Sequence, residues 1–159
     1  MSVWGALAGG AVGAVLVTLG LELFQAAGWT RIDMPLILGT VFAEDRDRAR
    51  ALGYAVHLVN GVVFSLVYAG IFAAVGSAGW LIGLALGAVH GGLVGGPLMN
   101  VLLPAVHPRM GRPWTDASET PLLEPPGFML TNYGPGTVVL TTALHLVYGT
   151  IVGGFAAGF

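Results

Sequence analysis

Three histidines, His57, His90 and His145, stand inside long apolar runs of Gly, Ala, Val and Leu, and two of them share one short string, HLVNG at 57–61 and HLVYG at 145–149. An imidazole in hydrocarbon is costly unless something within the protein satisfies it. Three chemistries are open to such rings. They can ligate haem or a transition metal from facing helices. They can hydrogen-bond one helix to the next. They can also relay protons or recognise a polar ligand. His57 and His145 form the best cofactor-binding pair and His90 is the third candidate, while Glu22 and His107 join His57 and His145 as metal donors. The chain has no cysteine, so an ion here would be Fe, Zn, Cu or Mn held by nitrogen and oxygen. No H-x-x-x-H or E-x-x-H string stands on one helix, so spacing alone fixes no metal site. Neither a Ser/His/Asp arrangement nor a phosphate-binding loop is present, and the sequence leans away from an enzyme without deciding the point.

The elements that hold these rings are membrane spans. Of 159 residues 55% are hydrophobic and only 9% charged, against roughly 25% charged in a soluble domain. Four segments reach the ~20 apolar residues that a bilayer requires: about 3–27, 51–75, 79–103 and 136–159. The expected fold is therefore all-α, a single membrane domain over 1–159, with four transmembrane helices in an antiparallel bundle. The first span lacks a basic leader and reads as a retained helix. Loops at about 28–50 and 104–135 share one side, and they carry all six arginines (31, 46, 48, 50, 109 and 112). By the positive-inside rule that side is cytoplasmic and both termini are outside, as in a multi-pass protein of the bacterial inner membrane. Trp4 and Trp80 mark the outer interface; Trp29, Tyr54, Trp114 and Tyr133 mark the inner one. A net charge of −2 without lysine argues against nucleic-acid binding. The implied partners are the lipid bilayer and either further copies of the chain or a larger membrane complex.

Within the first loop, Asp33-Met34-Pro35 reads as a helix start leading an apolar run through Phe42, too short to cross and therefore interfacial or re-entrant. Residues 43–50 extend the second span into water. The second loop is proline-rich and reads as extended, with Leu122, Leu123, Phe128, Met129 and Leu130 tucked back toward the membrane. Glycines at 79, 83, 87, 91 and 95 form a ridge suited to close helix packing, within the chain or between copies. Gly96-Pro97 should kink the third span. The string A-φ-H-L-V-x-G recurs at 55–61 and 143–149, an offset of 88 residues, as in a two-helix internal repeat. At 1.5 Å per residue, His57 lies ~9 Å and His145 ~13 Å from the cytoplasmic boundary. They share that half of the membrane with Glu22, Asn60, Asn100 and His107, and His90 sits near the middle.

The strings DMPLILGT at 33–40, HLVNGVVFSLVY at 57–68, His90, His107-Pro108 and HLVYG at 145–149 together resemble small bacterial four-helix membrane proteins grouped as a domain of unknown function. The resemblance implies the four-helix membrane architecture and brings no activity with it. The expected role is a small accessory or scaffold subunit whose histidine cluster ligates metal or haem. The alternative is an oligomeric transporter or channel for a small solute, ion or proton.

Overall fold

The computed structural model describes residues 1–110 and 123–158, and among them it is all-helical. Arg112, Pro113, Trp114, Pro121, Leu122 and Phe159 lie outside the described residues. Four described helices are long and apolar enough to cross a membrane, which makes this a multi-pass membrane protein: α1 (Val3–Ala26), α3 (Arg46–Val75), α4 (Trp80–Val106) and α5 (Pro135–Ala157). Between α1 and α3 lies α2 (Met34–Gly39), and a 3-10 turn (Phe128–Tyr133) precedes α5.

Local sequence sets the helix ends. Ser2, Asp33 and Asp45 accept hydrogen bonds from the backbone N–H groups of Gly5, Leu36 and Arg48 at 3.0, 3.0 and 2.8 Å, capping α1, α2 and α3. The stop of α3 is Gly76, in the left-handed region at φ 73°. Starting α3 at Arg46 confirms the extension of that span beyond its apolar run. Around Pro97, Val94–Leu102 winds as a π-helix, with the Leu103 N–H reaching back five residues to the Leu98 carbonyl. Proline has no N–H to give its own turn, and the wider winding absorbs that loss without breaking the span.

Helix α1 packs against both α3 and α5, and α4 packs on the far side of α5. Lipid supplies little hydrophobic drive between helices, so small residues permit the close approach. A methyl added at Gly83 would sit 2.1 Å from the Gly149 carbonyl oxygen, and one added at Gly87 would sit 2.4 Å from that of His145. The glycine ridge of α4 thus faces α5 within the same chain. Between α1 and α3, a methyl at Gly61 would meet the Ala14 Cβ at 2.4 Å. By contrast α3 and α4, although joined by a short turn, do not pack closely on each other. A gap opens between them toward the loop end. The outer faces, including Leu19, Leu23, Val59, Val63 and Val89, stay exposed for lipid.

At the loop end α2 crosses α3 at backbone distance: a methyl on Gly53 would lie 1.7 Å from the Pro35 carbonyl oxygen. It is a short, largely buried segment beneath the gap rather than an exposed interfacial helix. Arg50 fastens it. Its guanidinium pairs with Asp33, the α2 cap, and with Glu22 of α1 at 2.8 Å. In the second loop Leu123 and Leu130 are buried as expected, but Phe128 is exposed. Tyr133 also departs from expectation. It is not an interfacial belt residue, because its ring is buried and its hydroxyl donates to the Glu124 carbonyl at 2.6 Å. Met129 and Leu130 hold left-handed backbone (φ 53° and 65°), which tightens this turn under Gly95 of α4.

Candidate functional site

The gap between α3 and α4 widens into a cavity of about 230 Å³. Val17, Leu21, Phe64, Val94, Leu98 and Leu144 form much of its apolar wall, and Met34 and Leu38 of α2 close it at the loop end. All three intramembrane histidines reach it, from three different helices. The repeat-related His57 and His145 therefore meet at one site, and the deeper His90 joins them. Asn60, Leu102 and Val106 both line the cavity and stay exposed on the outside of the bundle. Its mouth accordingly faces lipid, on the α3–α4 side.

The hydrogen-bond partners orient the rings. His145 Nδ1 lies 2.7 Å from the Thr141 carbonyl, an acceptor only, so Nδ1 carries the proton. Thr18 Oγ1 donates to the Ala14 carbonyl at 2.8 Å and meets His57 Nδ1 at 2.7 Å. One hydroxyl proton cannot serve both, so His57 donates from Nδ1 as well. In both rings Nε2 is left as an acceptor with no protein partner among the described residues, and neither is sealed from the cavity. His90 differs: its Nδ1 lies 3.4 Å from the Tyr68 hydroxyl, which can donate to a bare nitrogen or accept from an N–H, so the contact does not fix the ring's proton. His90 packs edge-on against His145 with ring centroids 4.8 Å apart, and lies against Phe64 at 4.1 Å. No described carboxylate lines the cavity, so nothing there would balance an imidazolium.

One further group stands out. Thr141 is 4% exposed and lines the cavity, and its Oγ1 is the one buried side-chain polar atom without a hydrogen-bond partner among the described residues. The same helix shows the usual alternative: Thr142 and Thr150 turn their hydroxyls back onto the carbonyls four residues earlier, each at 2.8 Å. Thr141 does not use that escape. A buried hydroxyl left unmet costs about 1–3 kcal/mol, and this oxygen is sealed even from the cavity whose wall Thr141 helps to form.

Two metal candidates are placed elsewhere. Glu22 is engaged by Arg50 and by the Tyr54 hydroxyl at the loop end, away from the imidazoles. His107 is saturated: Nε2 donates to the Ile37 carbonyl at 3.0 Å, and Nδ1 accepts from the Arg109 N–H at 3.1 Å. Burial, seconded by the Arg109 charge, pushes its pKa below the usual histidine value, and the Ile37 carbonyl works against that. His107 ties the end of α4 to α2. Asn100 is not a wall of the cavity. Among the described residues, no three His, Asp or Glu side chains stand close enough to hold a metal ion. Thr18 and Thr141, which fix the tautomers and add the unmet hydroxyl, are not singled out by sequence. The one available signal is T-x-x-x-H at 141–145, which places a carbonyl under the ring.

The fold and site together define a four-span helical membrane protein with a histidine-lined cavity in one half of the bilayer. Comparison with protein-family models, curated proteins and solved structures finds no match for the chain.

Proposed function

We propose that this is a non-enzymatic, accessory-type integral membrane protein whose histidine pocket holds a small ligand within the bilayer. The observation that carries the reading is the pair of His57 and His145 Nε2 acceptors, open to a largely apolar cavity and without a protein partner among the described residues. Such polar atoms are stable in hydrocarbon only when something pairs with them. A closed pocket is favoured over a transport path because Tyr68, Phe72, Val152 and Ala156 fill the bundle between the histidines and the terminal end. An organic ligand is favoured over haem because a cavity of about 230 Å³ is too small for a porphyrin. It is favoured over a metal because no three His, Asp or Glu side chains among the described residues stand close enough to share one ion.

The described arginines at the loop end, Arg31, Arg46, Arg48, Arg50 and Arg109, support an orientation with loops in the cytoplasm and termini outside, in a bacterial inner membrane. The pocket then lies in the cytoplasmic half. Native mass spectrometry with metal analysis of the detergent-purified protein tests the reading. A small organic adduct, lost in His57→Phe and His145→Ala, is expected. A bare mass, or a stoichiometric metal in its place, overturns it.

A further inference from the structure

The cavity specifies more than the small size of its ligand. Building on the proposed binding function, on which the identification rests, we infer that the ligand is a lipid-borne quinol: a flat, neutral ring bearing at least two hydroxyl groups, with an apolar tail that stays in the membrane.

Each part answers an observed feature. His57 and His145 are both fixed with Nδ1 donating away from the cavity, to Thr18 and to the Thr141 carbonyl, so the two rings offer acceptors. A ligand that satisfies both must bring two donors, and a ring carrying two hydroxyls does so. Once those hydroxyls have donated, their oxygens can still accept, and the neutral His90 ring, which also lines the cavity, has one N–H to give. Phe64, the rings of His90 and His145, and Tyr148 give the site aromatic surfaces on several sides, which suit a flat ring. The volume of about 230 Å³ admits one such ring and little more.

Entry and tail are set by the mouth. It lies where α3 and α4 fail to pack, between exposed Asn60 on one side and Leu102 and Val106 on the other. A lipid-dissolved molecule can enter sideways there without crossing the charged loop end, and Leu98, Leu102 and Val106 offer an apolar bed for its tail. The oxidised quinone carries only acceptors. In this pocket it would face His57 and His145 Nε2 with nothing to donate, and sites built around a donated hydrogen bond reject the analogue that lacks it.

The experiment uses the full-length protein in detergent, titrated anaerobically and without added reductant with pre-reduced decylubiquinol. Decylubiquinone and 1,2-dioctanoylglycerol are titrated in parallel, and thermal unfolding is the readout. Decylubiquinol should raise the unfolding temperature saturably, with the quinone binding about tenfold or more weakly. His57→Phe should abolish the response. His145→Gln should keep the fold and weaken quinol binding. Equal response to both redox forms, or none to the quinol, overturns the inference. A response to dioctanoylglycerol alone overturns the quinol and leaves the binding pocket standing. No response to any probe, together with a bare native mass, removes both.

Discussion

Replacing Thr141 with valine tests whether the buried hydroxyl in the cavity wall is truly unmet. The two side chains have nearly the same volume and shape, so the change removes one hydroxyl and no packing. If that hydroxyl were paired, losing it would destabilise the bundle. Here it is buried at 4% exposure without a partner among the described residues. Its removal should relieve about 1–3 kcal/mol of unmet polar burial. The unfolded chain in a micelle also finds partners for polar groups, so the lower end, ~1 kcal/mol, is expected. For a chain of this length ~1 kcal/mol corresponds to roughly 2–4 °C. Ligand-free Thr141→Val should therefore unfold a few degrees above ligand-free wild type. With ligand both proteins should rise alike, because saturation at a hundred times Kd stabilises each by about 2.7 kcal/mol and the sealed hydroxyl takes no part. Thermal unfolding in detergent, with and without extraction of bound lipid, reads both. A Thr141→Val protein that is less stable in the ligand-free state refutes the reasoning, since the hydroxyl would then have had a partner.

The close crossings give a second prediction: Gly149→Ala, whose methyl would lie 2.1 Å from the Gly83 carbonyl oxygen, should cost about 1–3 kcal/mol by overpacking. Gly70→Ala, open on its face, should be neutral or stabilising by up to ~1 kcal/mol, and denaturant titration distinguishes them. Arg50→Gln should free α2 from Glu22 and Asp33, and amide exchange over Met34–Gly39 should quicken roughly tenfold. His107 predicts a pH effect. Its folded pKa lies below the usual 6.5, so the unfolded chain binds a proton that the folded chain refuses. Stability then rises with pH through that window and is lost as pH falls below about 6.5. His107→Gln should flatten that part of the unfolding profile measured between pH 5 and 8.

Spans, the Asp33 start of α2 and the meeting of His57 with His145 were legible because each rests on one-dimensional signals: apolar length, an Asp before a helix, and a repeated string. The glycine ridge announced a close crossing but not its partner, because small residues fit any helix equally well. Pro97 marked where the span is irregular but not the π-winding there, since sequence does not say how a span answers a missing N–H. Glu22 and His107 were drawn into the metal set by their depth alone. Depth carries no azimuth, and Arg50 in one case and the Ile37 carbonyl in the other had already claimed them. Thr18 and Thr141 escaped notice because a threonine in a span ordinarily bonds its own helix. Only the fold shows that one of them does not.

The central claim is that His57 and His145 present Nε2 acceptors to a cavity that a ligand fills, and the nitrogen-15 spectrum of histidine-labelled protein tests it most directly. Two of the three intramembrane rings should report protonated Nδ1 with bare Nε2, and those Nε2 signals should move on adding decylubiquinol while His107 stays unchanged. If both rings carry the proton on Nε2, or if no probe or co-purified molecule shifts them, the histidines bond helices and the pocket is not a binding site.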